Sequence, residues 1–338
     1  MRTGLLLATI PYSIIIRLRR WAYRRGWKKS CSAEVPVISV GNITTGGTGK
    51  TPTVAWIVRR LQAREFKPGV LLRGYKEVDG RSDEAEMLRR KTGAVVAVDP
   101  DRIAGAKAAV ANGADVLIMD DGFQHQRLRR KLDIVLIDAT EPFGFGHVLP
   151  RGLLREPARA LKDAHAIVFT RSDKVSPADV RFLRNKLTKY APRASYHAAV
   201  HGPDRLIDPA GTDQPVHALA GKTACAFCGI GNPNAFFETL KSLKIQPVIE
   251  SALDDHAQYT PAVMDAIRKQ AAEADAHVII TTEKDYVKLQ AAGLDRDVWQ
   301  LAIDMKILGG RDQLLSKIFT AANGEKVKGR SVWSVQEE

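Results

Sequence analysis

The chain has 338 residues, 45% hydrophobic and 26% charged, a balance that excludes a disordered chain and leaves room for two domains. A formal net charge of +13 calls for an acidic partner. No zinc finger or aromatic RNA-binding signature makes that partner nucleic acid. Three cysteines exclude a disulfide framework, and no run of about 18 apolar residues reads as an ordinary transmembrane helix.

Residues 4–16 (GLLLATIPYSIII) form an apolar stretch broken by Pro11. Seven basic residues follow by position 29: Arg17, Arg19, Arg20, Arg24, Arg25, Lys28 and Lys29, with Trp21, Tyr23 and Trp27 among them. A signal peptide carries its charge before the apolar core, whereas here most of it comes after. So short a stretch lies in a membrane interface more readily than across it. Trp and Tyr favour the headgroup layer, and clustered Arg and Lys are drawn to anionic lipid. Residues 1–30 are therefore expected to contact an anionic membrane surface. The competing reading is a buried N-terminal helix with a solvated basic end.

From residue 35 the rhythm is strand, turn, helix. Strands are expected at 35–40, 70–72, 94–98, 116–119, 134–137 and 167–170, with a helix over 51–62. Short apolar runs alternating with helical spacing predict a mostly parallel sheet covered on both faces. Residues 192–215 are poorer in apolar runs and read as the interdomain connection. Beyond them strands are expected at 224–227, 247–249, 277–281 and 298–303, and helices at 233–243 and 261–273. The fold class is α/β: a P-loop NTPase-type domain over 31–195 and a smaller α/β domain over 196–325.

Gly41-Asn42-Ile43-Thr44-Thr45-Gly46-Gly47-Thr48-Gly49-Lys50-Thr51 follows the first strand and opens the first helix of that rhythm. Phosphates are held by close backbone N–H groups, a helix N-terminus and a lysine. The glycines let the backbone approach, Lys50 reaches the β- and γ-phosphates, and Thr51 offers its hydroxyl to Mg²⁺. Asn42, Thr45, Gly46, Gly47, Thr48, Gly49, Lys50 and Thr51 are the expected nucleotide contacts. The strict pattern places glycine six residues before the lysine, where this chain has Thr44. A P-loop also needs a carboxylate at a strand end to hold the metal. Asp120 and Asp121 close the 116–119 strand and are the candidates; Asp138 is a poorer third. Cys225 and Cys228 form a lone C-x-x-C. With no second pair near it, it reads as two small apolar strand residues before a glycine turn, not as a metal or redox site.

Taken together, these segments resemble the tetraacyldisaccharide 4'-kinases, the lipid A kinases of Gram-negative bacteria. The resemblance rests on GNITTGGTGKTP (41–52), DDGFQH (120–125), LPRGLLREP (149–157), the D-H-x-x-Y of Asp255, His256 and Tyr259, and TTEKD (281–285). It spans nearly the whole chain, and the family's loop shares the departure at Thr44. The resemblance implies transfer of the ATP γ-phosphate to the 4'-hydroxyl of a tetraacyldisaccharide 1-phosphate. It also implies ATP and Mg²⁺ as cofactors, and a monotopic place on the cytoplasmic face of the inner membrane, with no required protein partner. The family's base is the Asp of a G-D-E-P element, supported by the His of D-H-x-x-Y. These match Asp83, within Ser82-Asp83-Glu84-Ala85, and His256. The two lie in different expected domains, so closure of one on the other is expected to assemble the site. Arg73, beside Gly74 and Tyr75, and Arg102, His125, Arg155 and Glu156 match positions suited to substrate or phosphate contacts.

One alternative is a membrane-recruited switch ATPase or GTPase. The nearest segment to a guanine-reading N-K-x-D is Thr170-Arg171-Ser172-Asp173, which lacks the Asn and the Lys.

Overall fold

A computed structural model describes residues 2–74, 83–254, 258–325 and 327, with side chains from residue 9 and excluding that of residue 83. Tyr75, Asp255 and His256 lie outside the described residues. The chain divides into two compact units, Met1–His201 with Met305–Glu338, and Gly202–Asp304.

The first unit opens with helix α1 (Arg2–Arg24). Its sheet strands are β1 (Val37–Asn42), β2 (Pro68–Leu72), β3 (Val95–Val98), β4 (Val116–Asp120), β5 (Leu132–Asp138), β6 (Ala166–Thr170) and the start of β7 (Ser195–Ile207). They lie in the order β7-β6-β5-β1-β4-β2-β3, each pair parallel. Helices α2 (Lys50–Gln62), α3 (Asp83–Thr92), α4 (Arg102–Ala111) and α5 (Pro177–Thr188) make the crossovers. The residues of β1, β2, β4, β5 and β6 are all buried, as expected of parallel strands covered on both faces, which is why their sequences read as mostly apolar runs. Val54, Ile57 and Leu61 of α2 pack on one face with Ile38, Val40, Ile118 and Ile134. Leu183 and Leu187 of α5 pack on the other with Val135, Ile137, Ile167 and Phe169. Ser176 starts α5 with a capping box to Asp179, and Asp101 caps α4 by accepting from the Ile103 amide.

The second unit begins within β7, which the short β8 (Asp213–Gln214) pairs antiparallel. It continues through β9 (Thr223–Cys228), α6 (Pro233–Ser242), β10 (Gln246–Ala252), α7 (Pro261–Glu273), β11 (Val278–Thr282), α8 (Glu283–Ala291) and β12 (Val298–Gly309). Its parallel sheet runs β10-β9-β11-β12. Cys225 and Cys228 are buried, unpaired, and three residues apart on β9, so their side chains enter the hydrophobic clusters on opposite faces of the sheet. Burial pushes the two thiols up to about 11 and about 12, which suits inert core residues.

Two expectations are corrected. Residues 192–215 do carry the chain from the first unit to the second, between His201 and Gly202, but mostly as the long strand β7 and not as a loop; its burial is partial and irregular, so it lacks the apolar run that marked the other strands. The second unit also ends at Asp304, not at 325. Beyond β12, helix α9 (Arg311–Ala322) returns to the first unit. There Leu314, Ile318, Ala321 and Ala322 join the cluster formed by α2 and β1.

Candidate active site

The loop after β1 is shaped by its own polar groups. Asn42 Nδ2 donates to Thr48 Oγ1 at 3.0 Å, and the Asn42 carbonyl accepts from Gln124 Nε2 at 2.8 Å. Gly46 and Gly49 have φ of 110° and 82°, conformations that L side chains rarely adopt. At Gly49 there is also no room: an added Cβ would sit 2.2 Å from Cε1 of His201. The Thr45 amide and hydroxyl both reach the Leu153 carbonyl, at 2.7 and 3.4 Å, which ties the loop to the 149–157 segment. Thr45 thereby acts on the loop's shape. Thr48, Gly49 and Lys50 lead into α2, whose N-terminus turns its free amides toward the loop.

Three carboxylates converge on the head of α2. Lys50 Nζ is 3.8 Å from Asp121 Oδ1. Thr51 Oγ1 donates to Glu84 Oε1 at 2.6 Å. Asp120 is buried at the end of β4, and its Oδ1 accepts from the Asp121 amide at 2.7 Å. Burial raises the Asp120 carboxyl to about 7; the Glu84 charge adds to this, and Lys50 opposes it. Asp121 turns out of the strand at φ 52° and takes Arg155 Nη1 on both oxygens, at 2.8 and 2.9 Å. Burial raises its carboxyl, but the Arg155 bonds and charge with Lys50 outweigh it and hold it below the usual range. The geometry separates two acids that the sequence leaves equivalent. Asp120 is desolvated beside acids, while Asp121 is already neutralised by two cations. Asp138, the poorer third candidate, is taken by Arg171 and Thr140.

The donor set of the Thr51 hydroxyl with Asp120 and Asp121 is hard oxygen, which fits Mg²⁺ held by one or two carboxylates and substrate phosphates. A buried carboxyl raised by a neighbouring acid fits the same reading, because a divalent cation would favour its ionised form. Among the described residues no group of three or more His, Cys, Asp or Glu could hold a metal by itself.

The remaining candidates fall around this centre in distinct ways. Arg102 is buried and donates to the carbonyls of Asp99 and Asp120, at 3.3 and 3.2 Å, so it braces the end of β4 from below. Arg73 is exposed just past β2, close enough to Arg102 for their charges to repel. His125 is half-buried among Arg102, Arg130, Arg127 and Arg19. Desolvation and these four charges lower it to about 4, so the imidazole is neutral near pH 7. Glu156 is buried against Arg20 of α1 at 3.0 Å, which gives it a partner within the protein. The Asp83 backbone starts α3 next to Glu84. His256 lies outside the described residues.

Sequence reasoning missed Glu84, Arg20 and Gln124. Glu84 lies beside Asp83 in the Ser82–Ala85 element, and nothing in the sequence marks it as a partner of Thr51. Arg20 belongs by sequence to the basic cluster expected to face solvent or lipid. In the structure it turns inward, between Glu156 and Asp163 and 5.0 Å above the Phe123 ring. Elsewhere α1 leaves Ile10, Ile14, Leu18 and Trp21 exposed at helical spacing. A groove of about 570 Å³ beside it is lined by Ile10, Ile14, Arg17, Val148, Leu154 and Lys186. Among the described residues no helix is long and apolar enough to cross a membrane.

Comparison with known proteins agrees with the segments that carry the resemblance. The family described as tetraacyldisaccharide-1-P 4'-kinase matches residues 1–322. A tetraacyldisaccharide 4'-kinase of Anaeromyxobacter dehalogenans (strain 2CP-C) is 36% identical over 336 residues, covering 92% of this chain and 88% of that protein. One from Stenotrophomonas maltophilia (strain R551-3) is 36% identical over 311 residues, covering 87% and 86%. Among solved structures, the "apo" form of LpxK from Aquifex aeolicus in complex with ATP superposes with a TM-score of 0.76 at 27% identity, covering 95% of this chain and 99% of that one. With the family matching residues 1–322 and relatives agreeing over nearly the full length and in fold, this chain belongs to the tetraacyldisaccharide-1-P 4'-kinase family.

Proposed function

We propose that the chain transfers the γ-phosphate of ATP to the 4'-hydroxyl of a tetraacyldisaccharide 1-phosphate, with Mg²⁺, at the cytoplasmic face of the inner membrane. One observation carries the kinase reading. The lysine and threonine that open α2 face Asp121 and Glu84, with Asp120 buried beside them, in a chain of this family. In this reading the α2 N-terminus and Lys50 hold the phosphates. Thr51 with Asp120 would hold the cation, which when bound supplies charge neutralisation at the transferring phosphoryl group. Arg155 keeps Asp121 ionised and oriented beside Lys50. Asp83 takes the sugar hydroxyl's proton, and His256 supports it.

The membrane part of the proposal is supported by the exposed apolar face of α1 and by the adjacent groove, where Arg17 and Lys186 suit an acylated, anionic acceptor. The switch alternative gains nothing from Arg171, which is committed to Asp138 and Gly47.

The test is a detergent-solubilised assay with γ-labelled ATP, Mg²⁺ and tetraacyldisaccharide 1-phosphate. Label should appear on the lipid only when ATP and acceptor are both present. Phosphate release with no labelled lipid would refute the kinase. Asp83→Ala should lower kcat far more than it raises the KM for ATP, as for a group acting mainly in the transition state. A near-normal kcat would move the base elsewhere.

A further inference from the structure

The chemistry described above lies on the β4 and α3 side of the phosphate loop. The other side is bounded by the ends of β5 and β6 and by His201 of β7, and there the structure holds a second arrangement. Arg171 follows β6 directly, at φ 54°, a backbone region that non-glycine residues rarely occupy. Its Nη1 pairs with Asp138 Oδ2 at the end of β5, and its Nη2 donates to the Gly47 carbonyl at 3.0 Å. Asp138 is buried, and its other oxygen takes the Thr140 amide at 3.0 Å and the Thr140 hydroxyl at 2.6 Å. The carboxylate is thus fixed from both sides and fixes the guanidinium in turn.

Gly47 needs such a support. A Cβ at Gly46 or Gly47 would meet nothing within 4 Å, so the tip of the loop has no packing of its own. Further along, at Gly49, the loop is backed closely by His201. The 47–48 peptide is held at its carbonyl by Arg171 and at its amide by the Gly46 carbonyl, 3.1 Å away. The carbonyl end of this peptide is therefore fixed by one charged side chain lying outside the motif.

We propose that Arg171, held by Asp138, is a positioning residue that presets the glycine tip of the phosphate loop for ATP. The proposal rests on the nucleotide reading above and adds to it a residue that touches the loop, not the reacting atoms. Its signature is on binding. Arg171→Ala should raise the Kd for ATP by about tenfold, the loss expected of one charge-assisted hydrogen bond, and change kcat by less than about threefold. Arg171→Lys should recover only part of the affinity, because an ammonium lacks the planar fork that reaches a carboxylate and a carbonyl together. Asp138→Asn keeps the side-chain volume and should raise Kd similarly. The double variant Arg171→Ala/Asp138→Asn should be no worse than the weaker single, since both break one arrangement.

The measurement is ATP binding by calorimetry on the full chain, followed by kinetics with the lipid acceptor, with thermal melting as a control for folding. If Arg171→Ala does not fold, Asp138→Asn reads the same contact. Wild-type binding of ATP with an unchanged Kd in the variants overturns the proposal alone. A fall in kcat with unchanged Kd also overturns it, by making Arg171 catalytic. A wild-type chain that binds no ATP removes the nucleotide reading and this proposal with it.

Discussion

Arg20→Ala tests how α1 is held to the first unit. Arg20 is 5% exposed, and Glu156, whose Oε2 lies 3.0 Å from its Nη1, is 4% exposed. Removing one partner of a buried pair costs about 3–5 kcal/mol, because the other charge is left without compensation. Asp163, one-third exposed and 3.1 Å away, adds well under 1 kcal/mol. The guanidinium stacked 5.0 Å over Phe123 adds about 1 kcal/mol. The expected loss is roughly 4–6 kcal/mol. For a unit of this size each kcal/mol moves the melting temperature by about 2–4 °C, so the shift should reach about 8–24 °C. Calorimetry is the assay, and the transition of the second unit, which lacks this contact, should stay in place. Arg20→Ala/Glu156→Gln should recover about 2–4 kcal/mol relative to Arg20→Ala, because the stranded carboxylate is gone. A shift below about 2 °C, or strict additivity in the double variant, would refute the reasoning and make α1 a loosely attached anchor.

Four further outcomes are expected. Lys50→Ala should lose nearly all label transfer to the lipid, and transfer at the wild-type rate would remove the phosphate-loop argument. Gly49→Ala combines a φ of 82° with a Cβ 2.2 Å from His201, so calorimetry should find ATP binding lost even where melting shows a folded chain. Below pH 7 a cation must displace the proton that burial and Glu84 keep on Asp120 up to about 7. The Mg²⁺ concentration for half-maximal rate should therefore rise toward tenfold per pH unit on going down from 7 and flatten above it, and a pH-independent requirement would place the cation elsewhere. Cys225→Ala and Cys228→Ala, singly or together, should retain full transfer activity under oxidising and reducing conditions alike, since the thiols lie on opposite faces of a strand.

The sheet was legible because parallel strands covered on both faces carry their burial in the sequence: VLIM and IVLI are apolar without a break, and VISV is broken only by Ser39. Strand β7 was not, because its burial is mixed and Gly202, Pro203 and Asp204 interrupt it just where the chain passes from one unit to the other. The return of α9 was illegible for a related reason. Its apolar spacing at Leu314, Ile318 and Ala321 announces a buried face but carries no address for the surface that will cover it.

The site divides along the same line. Lys50 and Thr51 could be placed from spacing alone, because a strand, a glycine turn and a helix start fix them relative to one another within a few residues. Which acid meets them could not, since β4, α3 and the 149–157 segment arrive from distant parts of the chain. Asp120 and Asp121 are adjacent and chemically identical, yet the backbone turn at Asp121 sends one carboxylate to Arg155 and leaves the other buried beside Glu84. Glu84 has no periodicity to mark it, being an exposed acid at a helix start, and its meaning comes only from the 2.6 Å contact with Thr51. That contact also constrains the neighbouring residue. Asp83, the proposed base, stands at the start of α3 one residue before Glu84. Local motifs thus place the proposed donor side of the site, and the proposed acceptor side depends on which distant segments the sheet order brings beside them.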